Sequence, residues 1–174
     1  MGQRKLAWIL LVSLATSAWI LGSAIQAGAE TLKYKSYTYT IKEEDIPVGD
    51  EEGHLLMSFD RGGLFVFENG EVANFHMFGN GEEVKSGLSI MYYDIISFPD
   101  GSTIMERTHG TLGTGVPGVP TTGGFKKEII KGTGRFEGIK GTGSGQTKYL
   151  PLEKWQAGVS GYGEGTLEYT LPSK

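Results

Sequence analysis

Two acidic residues, Asp94 and Glu106, lie on either side of a turn signal at 99–101 (PDG). Proline fits the first central position of a type I turn, and the glycine can take the positive φ of a three-residue hairpin loop. With that loop, Phe98 pairs with Ser102, and Asp94 faces Glu106 across the hairpin. Adjacent carboxylates in an apolar site do not ionise together easily. One of them would therefore have a raised pKa, and the pair could act as general acid and base.

The strand face that carries Asp94 is otherwise apolar, because alternate residues from 88 to 98 share it. If this face lines the inside of a barrel, the two carboxylates lie in an apolar lumen. We expect four lumen residues to contact a ligand: Tyr92, Asp94, Glu106 and Thr108. The alternative is a two-residue turn at 100–101, which shifts the register by one residue and pairs Asp94 with Arg107 as an ordinary ion pair.

Other residue types that support catalysis or cofactor binding form no recognised motif. His54, His76 and His109 lack the close spacing of a metal site, so no metal ion is expected. The segment 113–118 (GTGVPG) matches G-x-G-x-x-G, but it contains proline and precedes no helix, so no nucleotide cofactor is expected. No serine lies in a G-x-S-x-G elbow, and the chain has no cysteine. The sequence therefore identifies no catalytic residue, and it leaves open whether the protein is an enzyme.

Residues 1–29 have the pattern of a signal peptide. Arg4 and Lys5 precede an apolar run at 6–25, and the segment ends in small residues, AGA. We therefore expect an exported protein, periplasmic or secreted, whose mature chain begins at Glu30 and is not inserted in a membrane. Because the apolar run is long enough to span a bilayer, an uncleaved N-terminal membrane anchor is the alternative.

The net charge of the chain restricts its partners, and its length restricts the number of domains. The full chain has a net charge of −4, and the segment 1–29 contains two basic and no acidic residues. The remainder, 30–174, is therefore more acidic, which argues against a nucleic-acid partner. Its length suits one domain with one core.

From residue 31 onward the sequence predicts strands and turns, with no stretch of helical period. Asn69 and Gly70 favour a type I′ hairpin, and the phase of the first strand suggests a bulge near Ser36. The acidic stretch 43–52 is expected to be a solvated loop, and the Gly- and Pro-rich stretch 110–124 a lid or an inert connection.

The last third of the chain places glycines inside strand-like pieces, one of which is 134–139. Such glycines are typical of tight bends and close backbone approach in barrels. These patterns together predict an all-β protein with a single antiparallel β-barrel.

The segment 130–143 (IKGTGRFEGIKGTG) resembles the GGTGRFAGATG stretch of the allene oxide cyclase and dirigent barrel superfamily. The close match covers this short segment, and 137–139 (EGI) stands where the family usually has small residues. The resemblance implies a barrel of about eight strands with an apolar lumen that holds a hydrophobic small molecule. Such barrels often form homo-oligomers, so a homo-oligomer is possible here. It carries over no catalytic residue, because neither branch's active-site motif can be placed on this chain.

The leading functional hypothesis is an exported, non-catalytic barrel that binds a hydrophobic small molecule. The first alternative is an isomerase or cyclase in which Asp94 or Glu106 handles a proton. The second is a structural envelope protein whose barrel is filled by its own side chains.

Overall fold

The computed structural model describes residues 28–114, 119–150 and 159–173. All but the last two residues of the expected signal peptide lie outside these ranges. The described strands are β1 (Glu30–Pro47), β2 (Leu55–Phe67), β3 (Val72–Val84), β4 (Gly87–Ser97), β5 (Thr103–Leu112), β6 (Thr121–Thr133), β7 (Lys140–Tyr149) and β8 (Gly161–Thr170). Each pairs antiparallel with the next, and β8 pairs with β1. The predicted all-β class and eight-stranded antiparallel barrel are confirmed.

Period-two alternation divides the side chains between the barrel interior and the outer wall, as in β4. Every second residue of its central part is buried: Ile90, Tyr92, Asp94 and Ile96. Most buried side chains of the barrel are aromatic or aliphatic. Full burial of one such side chain contributes about 1.5–3 kcal/mol, so interior packing holds the sheet closed in a chain without disulfides. Within the described ranges, no helix is long and apolar enough to cross a membrane.

The rings of Phe67, Phe98 and Phe136 pack together at one end of the barrel, and we call them the aromatic plug. Phe98 stacks on Phe67 with ring centroids 5.5 Å apart and packs against Phe136 at 4.8 Å. The Arg135 guanidinium lies 4.7 Å from the ring centroids of both Phe98 and Phe136. Phe136 belongs to a 3-10 turn, Gly134–Phe136. The predicted strand-like piece at 134–139 is therefore wrong, because the chain reverses there instead of extending.

The hairpin at Asn69 and Gly70 has a three-residue loop, so the predicted type I′ turn is wrong. That turn needs positive φ at both residues, whereas only Gly70 has it, at 85°. Phe67 N donates to Glu71 O at 2.9 Å, which leaves 68–70 as the loop. The Asn69 side chain accepts a hydrogen bond from Glu71 N at 3.0 Å and stabilises the loop.

The first strand is longer and more regular than expected. Its register shift against β2 falls between Thr40 and Lys42, so the predicted bulge near Ser36 is wrong. Tyr37 and Tyr39 face the outer wall in regular phase and are 41% and 47% exposed. The strand also continues through the first part of the predicted acidic loop.

The Gly- and Pro-rich connection at 110–124 is shorter than the sequence suggested. β5 continues to Leu112 and β6 begins at Thr121, which assigns both ends of the segment to strands. Residues 115–118 lie outside the described ranges. The role of this connection as a lid stays a prediction.

Candidate functional site

The β4–β5 hairpin brings the two predicted carboxylates face to face. Phe98 N donates to Ser102 O at 2.9 Å, Gly101 N donates to Phe98 O at 3.0 Å, and Gly101 has a φ of 83°. This is the three-residue loop inferred from the PDG turn. Asp94 consequently pairs with Glu106 in the strand register.

The alternative register, with Asp94 opposite Arg107, is wrong. Arg107 pairs with Tyr93 on the outer wall, where its Nη2 donates to Glu128 Oε2 at 2.6 Å. The side chains of Arg107 and Glu128 are 42% and 55% exposed, so this is a surface ion pair.

All four predicted lumen residues are buried in the barrel interior and lie together. Tyr92 is 6% exposed, and Asp94, Glu106 and Thr108 are fully buried. The four form two adjacent rows across the hairpin, because Tyr92 pairs with Thr108 and Asp94 pairs with Glu106.

A fifth residue, Lys127, completes the cluster and was missed by the sequence-based prediction. It lies on β6 opposite Thr108, is 5% exposed, and its Nζ donates to Asp94 Oδ2 at 2.8 Å and to Glu106 Oε2 at 2.7 Å. A signal was present, since Lys127 shares its strand face with apolar Phe125 and Ile129. We call Asp94, Glu106 and Lys127 the ion triad.

Aromatic rings surround the ammonium group of the ion triad. Lys127 Nζ lies 5.0 Å from the ring centroid of Phe65 and 5.6 Å from those of Tyr34 and Phe125. At these distances the ring quadrupoles attract a cation, and the attraction is larger where water is excluded.

The ion triad holds more negative than positive charge when all three groups are ionised, and this shifts the protonation of its members. Burial raises the pKa of Glu106, the Lys127 ammonium opposes that shift, and the Asp94 carboxylate adds to it. Burial alone would lower the pKa of Lys127, but the two carboxylates outweigh it and raise that pKa well above its usual value. The cluster therefore favours the charged form of Lys127 and disfavours ionisation of Glu106.

Three oxygens of the predicted lumen residues have no hydrogen-bond partner in the part of the chain that the structure describes: Asp94 Oδ1, Glu106 Oε1 and Thr108 Oγ1. The hydroxyl of Tyr34, whose ring lies beside Lys127, has none either. A buried polar atom left unpartnered costs about 1–3 kcal/mol, so such atoms in a native protein call for a physical explanation. An additional group that donates hydrogen bonds would satisfy all three oxygens.

The wall next to the site is lined by glycines of β7 and β8. A Cβ on Gly145 would lie 2.5 Å from Phe125 Cζ, and one on Gly165 would lie 2.5 Å from Tyr34 Oη. The rings that flank Lys127 therefore lie directly against bare backbone. The predicted close backbone approach is observed here, and it explains why these two strands contain so many glycines.

A second cation, Arg61 on β2, also points into the barrel and is 6% exposed. Its Nη1 donates to Tyr149 Oη at 2.9 Å, and its Nη2 forms a short ion pair with Glu43. The guanidinium carbon lies 4.4 Å from the Phe59 ring centroid and 4.9 Å from that of Tyr149. This second cluster lies farther from the aromatic plug along β2 than Phe65 does.

His54 and His76 form separate contacts with carboxylates. His54 Nδ1 and Nε2 lie 2.7 Å from Asp50 and 3.0 Å from Glu82, and His76 Nε2 lies 2.6 Å from Asp60. Among residues 28–114, 119–150 and 159–173, no group of three or more His, Asp or Glu side chains is arranged to hold a metal ion.

Besides the two buried clusters, the protein has grooves between its strands. One of about 710 Å³ crosses β7, β8, β1 and β2, and its lining includes Lys33, Glu68 and Glu164. Another, of about 420 Å³, follows β6, β7 and β8 and borders Lys127 where Gly143 lacks a side chain. The second groove therefore reaches the wall of the ion triad from outside.

No protein-family model matches the chain, and no curated protein matches it significantly. The resemblance of segment 130–143 to the allene oxide cyclase and dirigent superfamily therefore stays a prediction.

Proposed function

We propose that this protein is a non-catalytic barrel that binds a small, largely apolar molecule in its interior, next to the ion triad. One observation carries the proposal: the buried oxygens of Asp94, Glu106 and Thr108 lack partners among the described residues. They lie in an interior that is otherwise aromatic and aliphatic. A few convergent polar groups inside an apolar site are typical of small-molecule binding.

The arrangement defines how such a molecule would be held. Its polar group would donate hydrogen bonds to the free carboxylate and hydroxyl oxygens, and its apolar body would pack against the neighbouring rings. Lys127 would keep the two carboxylates in place, because it already occupies one oxygen of each.

Native mass spectrometry of protein purified from its own host tests this proposal. We expect a mass excess that disappears on denaturation, and the released molecule can then be identified. The double variant Asp94→Asn/Glu106→Gln should lose the excess, whereas the outer-wall variant Glu128→Gln should keep it. A bare mass under mild conditions would contradict binding and favour the structural envelope protein.

Isomerase or cyclase activity is the second candidate, and the raised pKa of Glu106 supports it. A buried carboxyl that holds its proton can donate it to a substrate and recover it without water. The test is to incubate the released molecule with fresh protein and separate the products. An isomer of equal mass that forms with wild type but not with Glu106→Gln would replace the binding proposal with catalysis.

Membership in the allene oxide cyclase and dirigent superfamily is part of the proposal. The eight-stranded barrel and the position of the Gly134–Phe136 turn in the aromatic plug support it. The resemblance also predicts a homo-oligomer, and exposed outer-wall side chains such as Tyr39 and Leu64 are compatible with contacts between copies. Light scattering after size exclusion distinguishes a monomer from an oligomer.

Export is proposed on the sequence pattern of residues 1–29. N-terminal sequencing of protein recovered from the host's periplasmic or culture fraction should begin at Glu30. Recovery with the membrane fraction and an intact N-terminus would instead show that the segment is an uncleaved anchor.

A further inference from the structure

We propose that the molecule bound in the barrel presents a protonated amine to Asp94 and Glu106, so that its class is a small hydrophobic ammonium ion. This inference rests on the proposed binding function and names the chemistry of the ligand.

The first argument is the hydrogen-bonding character of the free atoms. Lys127 Nζ uses Asp94 Oδ2 and Glu106 Oε2, at 2.8 and 2.7 Å, and leaves the second oxygen of each carboxylate without a partner in the described chain. Ionised carboxylate oxygens only accept hydrogen bonds, and the Thr108 hydroxyl can also accept. An ammonium group has three donors and no acceptor, so it matches the three free oxygens.

The second argument is charge. Two carboxylates face one ammonium ion in a site from which water is excluded, with all three side chains at most 3% exposed. A ligand cation would allow both acids to ionise in a neutral cluster, whereas a carboxylate or phosphate ligand would add negative charge to it. A neutral alcohol would leave the pKa of Glu106 raised and would offer a single donor to the three oxygens.

The third argument is the aromatic lining. Phe65, Tyr34 and Phe125 already place their rings 5.0–5.6 Å from the Lys127 ammonium. An interior that stabilises one ammonium ion through ring quadrupoles is suited to a second one with an apolar body. An inorganic cation gains less here, because no metal-binding group of three His, Asp or Glu side chains occurs in the described ranges.

Isothermal titration calorimetry with three probes of equal shape tests the inference: benzylammonium, benzyl alcohol and benzoate. At neutral pH we expect benzylammonium to bind at least about tenfold more tightly than benzyl alcohol, because charge-assisted hydrogen bonds are the stronger ones. Benzoate should bind most weakly. Binding of benzylammonium should also lower the pKa of Glu106 towards its usual value, and titrations at several pH values in buffers of different ionisation enthalpy will measure the protons released.

Single variants test whether Asp94 and Glu106 bind the benzylammonium probe. Asp94→Asn and Glu106→Gln should each weaken benzylammonium binding about tenfold and leave benzyl alcohol binding nearly unchanged. Each variant still contains one carboxylate paired with Lys127, so the fold should persist, and thermal melting will verify it. Glu128→Gln on the outer wall should match wild type for all three probes.

The outcomes separate this inference from the proposed function. Equal or tighter binding of benzyl alcohol or benzoate in wild-type protein would overturn the ammonium assignment and leave a small-molecule binder. Failure of all three probes to bind, together with a bare native mass, would overturn both. The wild-type comparison decides the matter even if a variant does not fold.

Discussion

Among the described residues, two cations are buried in the barrel interior, Arg61 and Lys127, and they are paired with acids in different ways. Arg61 pairs with one carboxylate, Glu43, whose side chain is 20% exposed. Lys127 contacts two carboxylates that are both almost completely buried. The Arg61 cluster has one acid for one base and retains some contact with solvent, whereas the ion triad has two acids for one base and is almost completely buried.

Because of this difference, we interpret the Arg61 cluster as a structural ion pair and the ion triad as a candidate binding site. Arg61 is held between the rings of Phe59 and Tyr149, and its two Nη atoms donate to Tyr149 and Glu43, while its Nε has no partner in the described chain. The ion triad has one more acid than it needs to bury Lys127, and buried charge without a partner is costly. An excess acid with free oxygens therefore points to function rather than to stability alone.

The largest expected effect is that of Lys127→Met. Removing the ammonium leaves two adjacent buried carboxylates, so we expect a loss of about 3–5 kcal/mol in the free energy of unfolding. Urea denaturation measures it. Lys126→Met, at the adjacent exposed position, should change stability by less than about 0.5 kcal/mol. A small loss for Lys127→Met would show that the triad tolerates its negative charge and would remove the contrast with Arg61.

Arg61→Met should cost less, about 2 kcal/mol, because the partly exposed Glu43 can be hydrated after its partner is lost. The matched control is Arg107→Met, which breaks an exposed ion pair with Glu128 and should cost at most about 1 kcal/mol. Urea denaturation of both variants, under the conditions used for Lys127→Met, ranks the three losses in the free energy of unfolding. If Arg61→Met proved as costly as Lys127→Met, the two clusters would be equivalent structural ion pairs.

Glu106→Gln should change the pH dependence of stability. Because the pKa of Glu106 is raised in the folded state, the folded chain retains a proton that the unfolded chain loses above about pH 4.5. Wild-type stability should therefore fall relative to Glu106→Gln as pH rises from 4.5 towards the folded-state pKa. Thr108→Val, which removes no titrating group, provides the control, and its difference from wild type should not vary with pH.

The smallest expected effect is that of Thr108→Val in the absence of ligand. Its hydroxyl has no partner within the described ranges, so replacement by a methyl group should be neutral or stabilising by up to about 1 kcal/mol. Thr103→Val is the comparison, because Thr103 Oγ1 lies 2.7 Å from Thr133 Oγ1 and its loss should cost about 1 kcal/mol. A cost for Thr108→Val comparable to that for Thr103→Val would mean that its hydroxyl is already satisfied.

Part of the candidate site could be derived from the sequence because it depends on one local hairpin. The three-residue form of the PDG turn predicted the observed register of β4 and β5, with Asp94 opposite Glu106, while a two-residue turn left a second register open. The Asn69–Gly70 turn was assigned to the wrong type, because the dipeptide suits both a two-residue and a three-residue loop and only the strand pairing distinguishes them. A bulge near Ser36 was predicted because Tyr37 and Tyr39 carry large rings of the kind that fill cores, whereas both lie on the outer wall.

The all-β class and the antiparallel barrel could be predicted from the sequence, because alternation and turn chemistry act over a few neighbouring residues, and the same patterns left the facing carboxylates as one of two registers. The fold brings Lys127 to those carboxylates from β6, and this depends on barrel closure and on the β5–β6 register of the whole sheet. The fold also places Tyr34 and Phe125 against glycines of β7 and β8, because that packing joins residues distant in sequence. The charge of the interior, and with it the proposed ligand chemistry, follows from these long-range contacts.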